Sequence, residues 1–290
     1  MASSSRSADY WSLTKPEVNL LIGLTTAAGF CLARPQSLDA FPFIRLGNTI
    51  VGTLLVASGT GTLNQFIERR FDALMRGTAR RPVAAGRIQP SHALAFGLVL
   101  SAAGAIYLGA AVNALSSLLA VVTMLSYLLV YTPLKRRTPL CTVIGALPGA
   151  APPLIGWAAS SGSLSLEAGV LYALVFLWQF PHFMAIAWMY REDYYRAGYM
   201  VLPRGESSAS FMACQATAPL LVLVPLSVIP VLVGRAGLGY LATALVLGGM
   251  FIYRADQLVA HRTNAMARRL LFASIAYLPL LFTAMVVDRV

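Results

Sequence analysis

Charge is what this sequence has least of. Of its 290 residues only 11% are Asp, Glu, Lys or Arg, where a water-soluble chain of this length carries about 25%. The three cysteines, Cys31, Cys141 and Cys214, form no C-x-x-C pair. They fall in or beside apolar runs and read as small packing residues, which excludes a disulfide framework or a thiolate metal centre. Histidines also number three, and no Ser/His/Asp arrangement is suggested. The N-terminal residues have no apolar core, so no secretory signal is expected. Long linkers and internal repeats are missing too.

What is present is apolar: 58% of residues are hydrophobic and the mean hydropathy is +0.69. A spanning helix needs about 20 apolar residues. The chain therefore reads as all-α, one membrane-embedded domain over 1–290, a bundle of about nine transmembrane helices. The expected spans are Val18–Ala33, Leu46–Leu63, Ser91–Val112, Ala114–Thr132, Leu140–Ala159, Leu166–Tyr190, Ser210–Val233, Ala236–Tyr253 and Arg269–Val287. The first is short. The fifth carries "LPGAAPPLIG", tolerable in a membrane only where neighbouring helices cover the freed backbone groups. Its glycines and alanines would let helices approach closely.

Sorting Lys and Arg by alternate flanks places 18 of the 22 on the N-terminal side and Arg34, Arg45, Arg235 and Arg289 on the other. Such asymmetry predicts a cytoplasmic N-terminus. The formal charge of +11 is then mostly topology and contact with membrane lipid. With the bases lying between spans and no separate binding domain, no nucleic acid is expected.

The acids, 11 in all, are more informative. In "NQFIERRFDALMRGTARRP" (residues 64–82), a continuing second helix would place Asn64, Glu68 and Asp72 four residues apart on one face, a stripe about 12 Å long. One amide and two carboxylates at a membrane boundary suit Mg2+, which takes oxygen ligands and leaves positions for substrate phosphates. The neighbouring arginines, Arg81 among them, match phosphate oxygens. The competing reading is that acids and arginines pair with one another and with headgroups. Two further loops on the same side, "YTPLKRR" (Tyr131–Arg137) and "WMYREDYYRAGYMVLPRG" (Trp188–Gly205), add Lys135, Arg137, Glu192, Asp193 and Arg196. Charged loops of both signs on one face favour a diphosphate–Mg2+ clamp over headgroup decoration.

Residues 64–82 resemble the N-x-x-x-[DE]-x-x-x-D-x-x-M-x-R-T-x-x-R-P signature of the protoheme IX farnesyltransferases, in the UbiA intramembrane prenyltransferase superfamily. "SLTKPEVNLLIG", "YTPLKRRTPLCTVIGALPGAAPPLIGWAA" and "WQFPHFMAIAWMYREDYYRAGYMVLP" are similar to further blocks of that family, in the same order. The resemblance runs from Ser12 to about Pro203 and then fades to hydropathy.

It implies a nine-helix bundle with its active site at the cytoplasmic mouth, transferring farnesyl from farnesyl diphosphate to the vinyl group of heme b to give heme O. Mg2+ is the implied cofactor, and a downstream heme A synthase or oxidase assembly factors are implied partners. Asn64, Glu68 and Asp72 match metal and diphosphate positions, Arg81 the arginine before the proline, Tyr131 and Lys135 the fourth-span loop, and Asp193 the second acidic block. Departures are Gly77 at a family arginine, Cys141 at an asparagine, and Ala197 where a second D-x-x-x-D would end, leaving Glu192 and Asp193 for the second metal. A bacterial inner membrane is expected, a mitochondrial one being the alternative.

The rival readings are a superfamily enzyme acting on a quinone-precursor ring, a transporter or channel, whose charges should lie mid-span, and a CDP-alcohol phosphotransferase, whose D-G-x-x-A-R pattern is missing. His182 lies within the sixth span after Pro181. Ionisable residues there usually face an interior or cavity, so His182 is either a heme-iron ligand or a partner for a neighbouring helix's backbone.

Overall fold

The structure is a computed structural model that describes residues 5–33, 41–205 and 207–290. Arg34, Asp39 and Glu206 lie outside the described residues. Among those described there are helices and turns and no strand.

A short amphipathic helix, α1 (Arg6–Leu13), capped by Ser5 Oγ on Ala8 N–H, precedes α2 (Pro16–Leu32). The long α3 (Phe43–Asp72) follows, then α4 (Pro90–Ala111) and α5 (Ala114–Leu125). A π-helical stretch, Ser126–Tyr131, leads into α6 (Thr132–Leu134). Next are α7 (Cys141–Gly149), α8 (Pro152–Ser161), α9 (Leu166–Met189) and the short α10 (Arg191–Arg196). Last are α11 (Ser207–Leu232), α12 (Leu238–His261) and α13 (Asn264–Val287).

Among the described residues, eight helical stretches are long and apolar enough to cross a membrane, α5–α6 and α7–α8 each counting as one, which makes this an integral membrane protein. The expected first span, α2, has only 17 residues. It nevertheless packs between α3, α8 and α13 as the ninth member of the bundle. The expected fifth span is broken into α7 and α8, and side chains of neighbouring segments add hydrogen bonds to its carbonyls, which ties the broken span into the bundle. Gln179 Nε2 donates to Ala146 O (3.0 Å), Asn113 Nδ2 to Ala158 O (2.8 Å) and Ser116 Oγ to Ile155 O (3.3 Å).

Small residues bring α2 and α8 together. A Cβ on Gly29 would land on the Pro153 carbonyl, and one on Gly156 on the Thr26 carbonyl.

The helix ends sort into two faces by their bonds. On one, Arg289 donates to Cys31 O, Arg235 to Glu167 and Arg45 to Val112 O. On the other, Arg87 pairs with Asp9, Arg191 with Asn264, and the Gly77 N–H with Asp193. Three of the four cations assigned to the sparse flank are thus bonded to ends of the first face.

Candidate active site

α3 runs unbroken to Asp72, so the stripe expected from four-residue spacing exists. It is also turned inward: Asn64 is 1% exposed, Glu68 5% and Asp72 1%. Acids so placed cannot stay ionised in a bundle without partners, and each has one. Lys135 Nζ lies 2.8 and 3.0 Å from the two Glu68 oxygens. Arg81 Nη1 lies 2.8 and 2.9 Å from those of Asp72. Asn64 donates to Glu68 Oε2 (2.9 Å) and accepts from Lys15 Nζ (2.9 Å). The acid–arginine pairing weighed from sequence therefore holds for Asp72 and Arg81, but it is buried pairing around a chamber.

That chamber has a volume of about 510 Å³ and is lined by Asn64, Glu68, Asp72, Arg81, Lys135 and Asp193, with Lys15, Gly77 and tyrosines 127, 131, 190, 194 and 199. Three loops converge on it because their backbones are tied together. The Gly77 N–H donates to Asp193 Oδ2 (3.1 Å) and the Met200 N–H to Lys135 O (2.6 Å). Burial alone would raise the Asp193 carboxyl, but the Gly77 and Arg76 N–H groups and the Arg196 guanidinium outweigh it and hold the pKa below the usual value.

The π-helical turn aims two rings at the chamber. Tyr127 and Tyr131 lie 5.1 Å apart by centroid, and Lys135 Nζ stands 4.7 Å from the Tyr131 ring centre. π-Helical turns are frequent at functional sites because the extra residue redirects side chains.

Not every expected residue arrives. Glu192 is exposed and Arg137 is exposed, and neither lines the chamber. Adjacent helical residues point about 100° apart, so in α10 Asp193 facing inward turns Glu192 outward. In the 135–137 turn Lys135 takes the inward position and Arg136 stacks on Phe71 (4.1 Å). Arg196 does not line the chamber but binds Asp193 (2.8 Å). Arg76, the one nearby arginine beside Gly77, is exposed and does not replace the missing side chain. A Cβ at position 77 would only touch Tyr190 at 3.4 Å, so glycine there is not enforced by crowding.

Lys15 is the residue that sequence reasoning counted only as a flanking charge. It sits in the left-handed region (φ 53°) between α1 and α2, a conformation costly for a non-glycine residue. This turn carries its ammonium into the chamber. Burial, then the Arg81 and Lys135 cations, push it down to about 7. The clue in sequence is a lysine directly before Pro16, which starts the first span at the mouth of the bundle.

A second, largely apolar chamber of about 380 Å³ adjoins the first; Lys15, Tyr127, Tyr131, Phe183 and Ile186 line both. His182, Trp178, Gln179, Thr25 and Thr53 are among its walls. His182 faces this cavity, and its Nδ1 meets Ser274 Oγ at 2.8 Å, a side chain rather than a backbone. No cluster of three or more His, Cys, Asp or Glu residues is formed among the described residues. The oxygen donors are interleaved with Asn64 and with cations instead.

Known proteins share this architecture. The profile of the UbiA prenyltransferase family matches residues 22–278. The protoheme IX farnesyltransferase of Solibacter usitatus (strain Ellin6076) is 46% identical over 287 residues, covering 97% of this chain and 98% of that one. That of Koribacter versatilis (strain Ellin345) is 41% identical, with coverages of 97% and 93%. A solved structure of digeranylgeranylglyceryl phosphate synthase superposes with a TM-score of 0.76 at 17% identity, covering 97% of both chains. A UbiA homolog from Archaeoglobus fulgidus bound to GPP and Mg2+ does so at 0.65 and 16% identity, covering 96% of this chain and 99% of that one. A buried amide–carboxylate stripe under three tied loops, the shared helical architecture and near-full-length relatives agree: this chain belongs to the UbiA prenyltransferase family.

Proposed function

We propose that the chain transfers the farnesyl group of farnesyl diphosphate to the vinyl group of protoheme IX (heme b), forming heme O for terminal oxidases. The observation that carries this reading is the junction of the two chambers. A cationic, carboxylate-bearing chamber opens at Lys15, Tyr127 and Tyr131 into an apolar one. A prenyl diphosphate has the same division of polarity, and the near-full-length relatives named above supply heme as the acceptor. The curated relatives favour heme over a quinone-precursor ring. A transporter would need its charges mid-span, whereas these cluster at helix ends.

Asn64, Glu68, Asp72 and Asp193 offer hard oxygens to one space, a donor set that fits Mg2+. The solved homolog from Archaeoglobus fulgidus with GPP and Mg2+ supports the same assignment. When bound, Mg2+ supplies Lewis-acid neutralisation of the leaving diphosphate.

The chain's own residues do the rest. Lys15, Arg81 and Lys135 set fixed cations around the leaving group, where preorganised charge lowers the barrier. Breaking the allylic C–O bond sends its electron pair to diphosphate and leaves a farnesyl cation. The Tyr127 and Tyr131 faces, already presented to the Lys135 ammonium at 6.0 and 4.7 Å, stabilise it by cation–π contact. The vinyl π electrons form the new C–C bond. Water adds to the resulting carbocation and loses a proton, giving the hydroxyethylfarnesyl arm.

The charge-rich face that carries the site is cytoplasmic in this reading, with the N-terminus on the same side. The membrane is a bacterial inner membrane, consistent with the bacterial relatives, and a heme A synthase or oxidase assembly factors take the product. Membranes containing the protein, given heme b, farnesyl diphosphate and Mg2+, yield farnesylated heme by mass spectrometry. Farnesylation of a quinone precursor with heme b left unchanged overturns the assignment.

A further inference from the structure

The wall of the apolar chamber holds an imidazole whose protonation is fixed by its neighbours. His182 Nδ1 lies 2.8 Å from Ser274 Oγ. That hydroxyl also lies 2.6 Å from Leu271 O. A carbonyl cannot donate, so the single hydroxyl proton is committed to Leu271 O; otherwise two oxygen lone pairs would face each other at that distance. Ser274 Oγ therefore accepts, and His182 carries its proton on Nδ1. Nε2 is left as a bare lone pair with no hydrogen-bond partner among the described residues. The same serine holds the neighbouring wall: Trp178 Nε1 donates to Ser274 O (2.8 Å), and the Trp178 ring stacks on His182 at 4.7 Å and 23°. Two side chains of α9 are thus pinned by one residue of α13. A histidine that merely filled a cavity wall would need no second anchor and no defined tautomer.

We propose that His182 is the axial ligand to the iron of the porphyrin acceptor through Nε2, and that Ser274 is the positioning residue that fixes its tautomer and ring plane. This rests on the heme reading above. It goes beyond that reading by naming the residue that orients the acceptor and the serine that tunes it. A hydrogen bond from Nδ1–H also raises ligand basicity, the usual outer-shell device at metal-bound histidine. With iron held at His182, the porphyrin edge reaches Tyr131, Phe183 and Ile186, where the two chambers meet. This orients the acceptor's vinyl edge toward the diphosphate chamber.

The test uses purified full-length protein in lipid nanodiscs, titrated with heme b and read by visible and resonance Raman spectra, with farnesylation assayed in parallel. Wild type shows an iron–imidazole stretch. His182→Gly loses it and binds heme at least about tenfold more weakly, and added imidazole restores the spectrum. Ser274→Ala keeps the iron–imidazole band but lowers its frequency, and Ser274→Thr restores it. An iron–imidazole band that survives in His182→Gly without imidazole overturns the proposal, as does an unshifted band in Ser274→Ala; the second result decides even where His182→Gly does not fold. If wild type makes farnesylated heme while either overturning result is seen, the heme reading stands and only the ligand assignment falls. If wild type neither binds nor farnesylates heme b, both fall.

Discussion

Asp72 and Lys15 mark the two ends of the site's charge balance. Asp72 is buried, and Arg81 Nη1 donates to both of its carboxylate oxygens. Asp72→Asn keeps the shape and a hydrogen-bond acceptor but removes the charge that a divalent cation needs. Turnover should fall on the order of 10²–10³-fold with heme retention unchanged, and EDTA should do the same to wild type. Steady-state assays beside heme content check this, and normal turnover in either case removes the metal-dependent clamp. Lys15 carries a different signature. In the substrate-free chamber its pKa is about 7, and a bound diphosphate raises it. Above about pH 7, binding must therefore take up a proton, so affinity for farnesyl diphosphate measured without metal should fall from pH 6 to pH 8. Lys15→Met should weaken binding about tenfold or more, the loss of a charge-assisted bond, and should flatten that slope. A slope retained in Lys15→Met would assign the proton to another group.

At the level of elements, the seam between α2 and α8 and the π-helical turn matter most. The seam depends on two glycines that put backbone against backbone. Gly156→Ala has no soft neighbour to displace, because the obstructing atom is the Thr26 carbonyl. Overpacking of this kind costs typically about 1–3 kcal/mol, so Gly156→Ala should lower the midpoint of thermal unfolding in detergent. Gly169→Ala, with nothing within 4 Å of the added carbon, is the control and should not lower it, alanine being the better helix former. An unchanged midpoint in Gly156→Ala would mean that the two helices separate freely. The proline-rich α7–α8 break was readable from sequence as a region needing backbone partners. Which side chains reach its carbonyls was not, because Gln179, Asn113 and Ser116 lie 33, 45 and 39 residues from the carbonyls they bind.

For the whole molecule, the bonds at the helix ends define two faces, and the count of cations predicts that the charge-rich one is cytoplasmic. Single cysteines at Arg76 and Arg196 should label from one side of sealed vesicles, and cysteines at Ser161 and the C-terminus from the other, in a cysteine-free background. Labelling of positions 76 and 161 from the same side would remove the shared face that carries the site. The Gly77–Asp193 bond already requires the Arg76 and Arg196 loops to share a face.

Sequence alone determined the class, the nearly complete set of spans and the stripe of Asn64, Glu68 and Asp72. Hydropathy and four-residue spacing act along a single helix, so they need no knowledge of neighbours. The family motifs added Lys135, Tyr131 and Arg81, all of which line the charged chamber. Choices between adjacent residues were decided only in three dimensions. Glu192 and Asp193 carry the same charge, and the docking of Asp193 on the Gly77 N–H selects one and turns the other to the surface. Lys15 looked like an ordinary flanking cation until the left-handed turn before Pro16 carried it to Asn64. The protonation of His182 depends on a serine 92 residues away. Local pattern fixes which face of a helix a side chain occupies; what stands opposite that face depends on how distant helices pack.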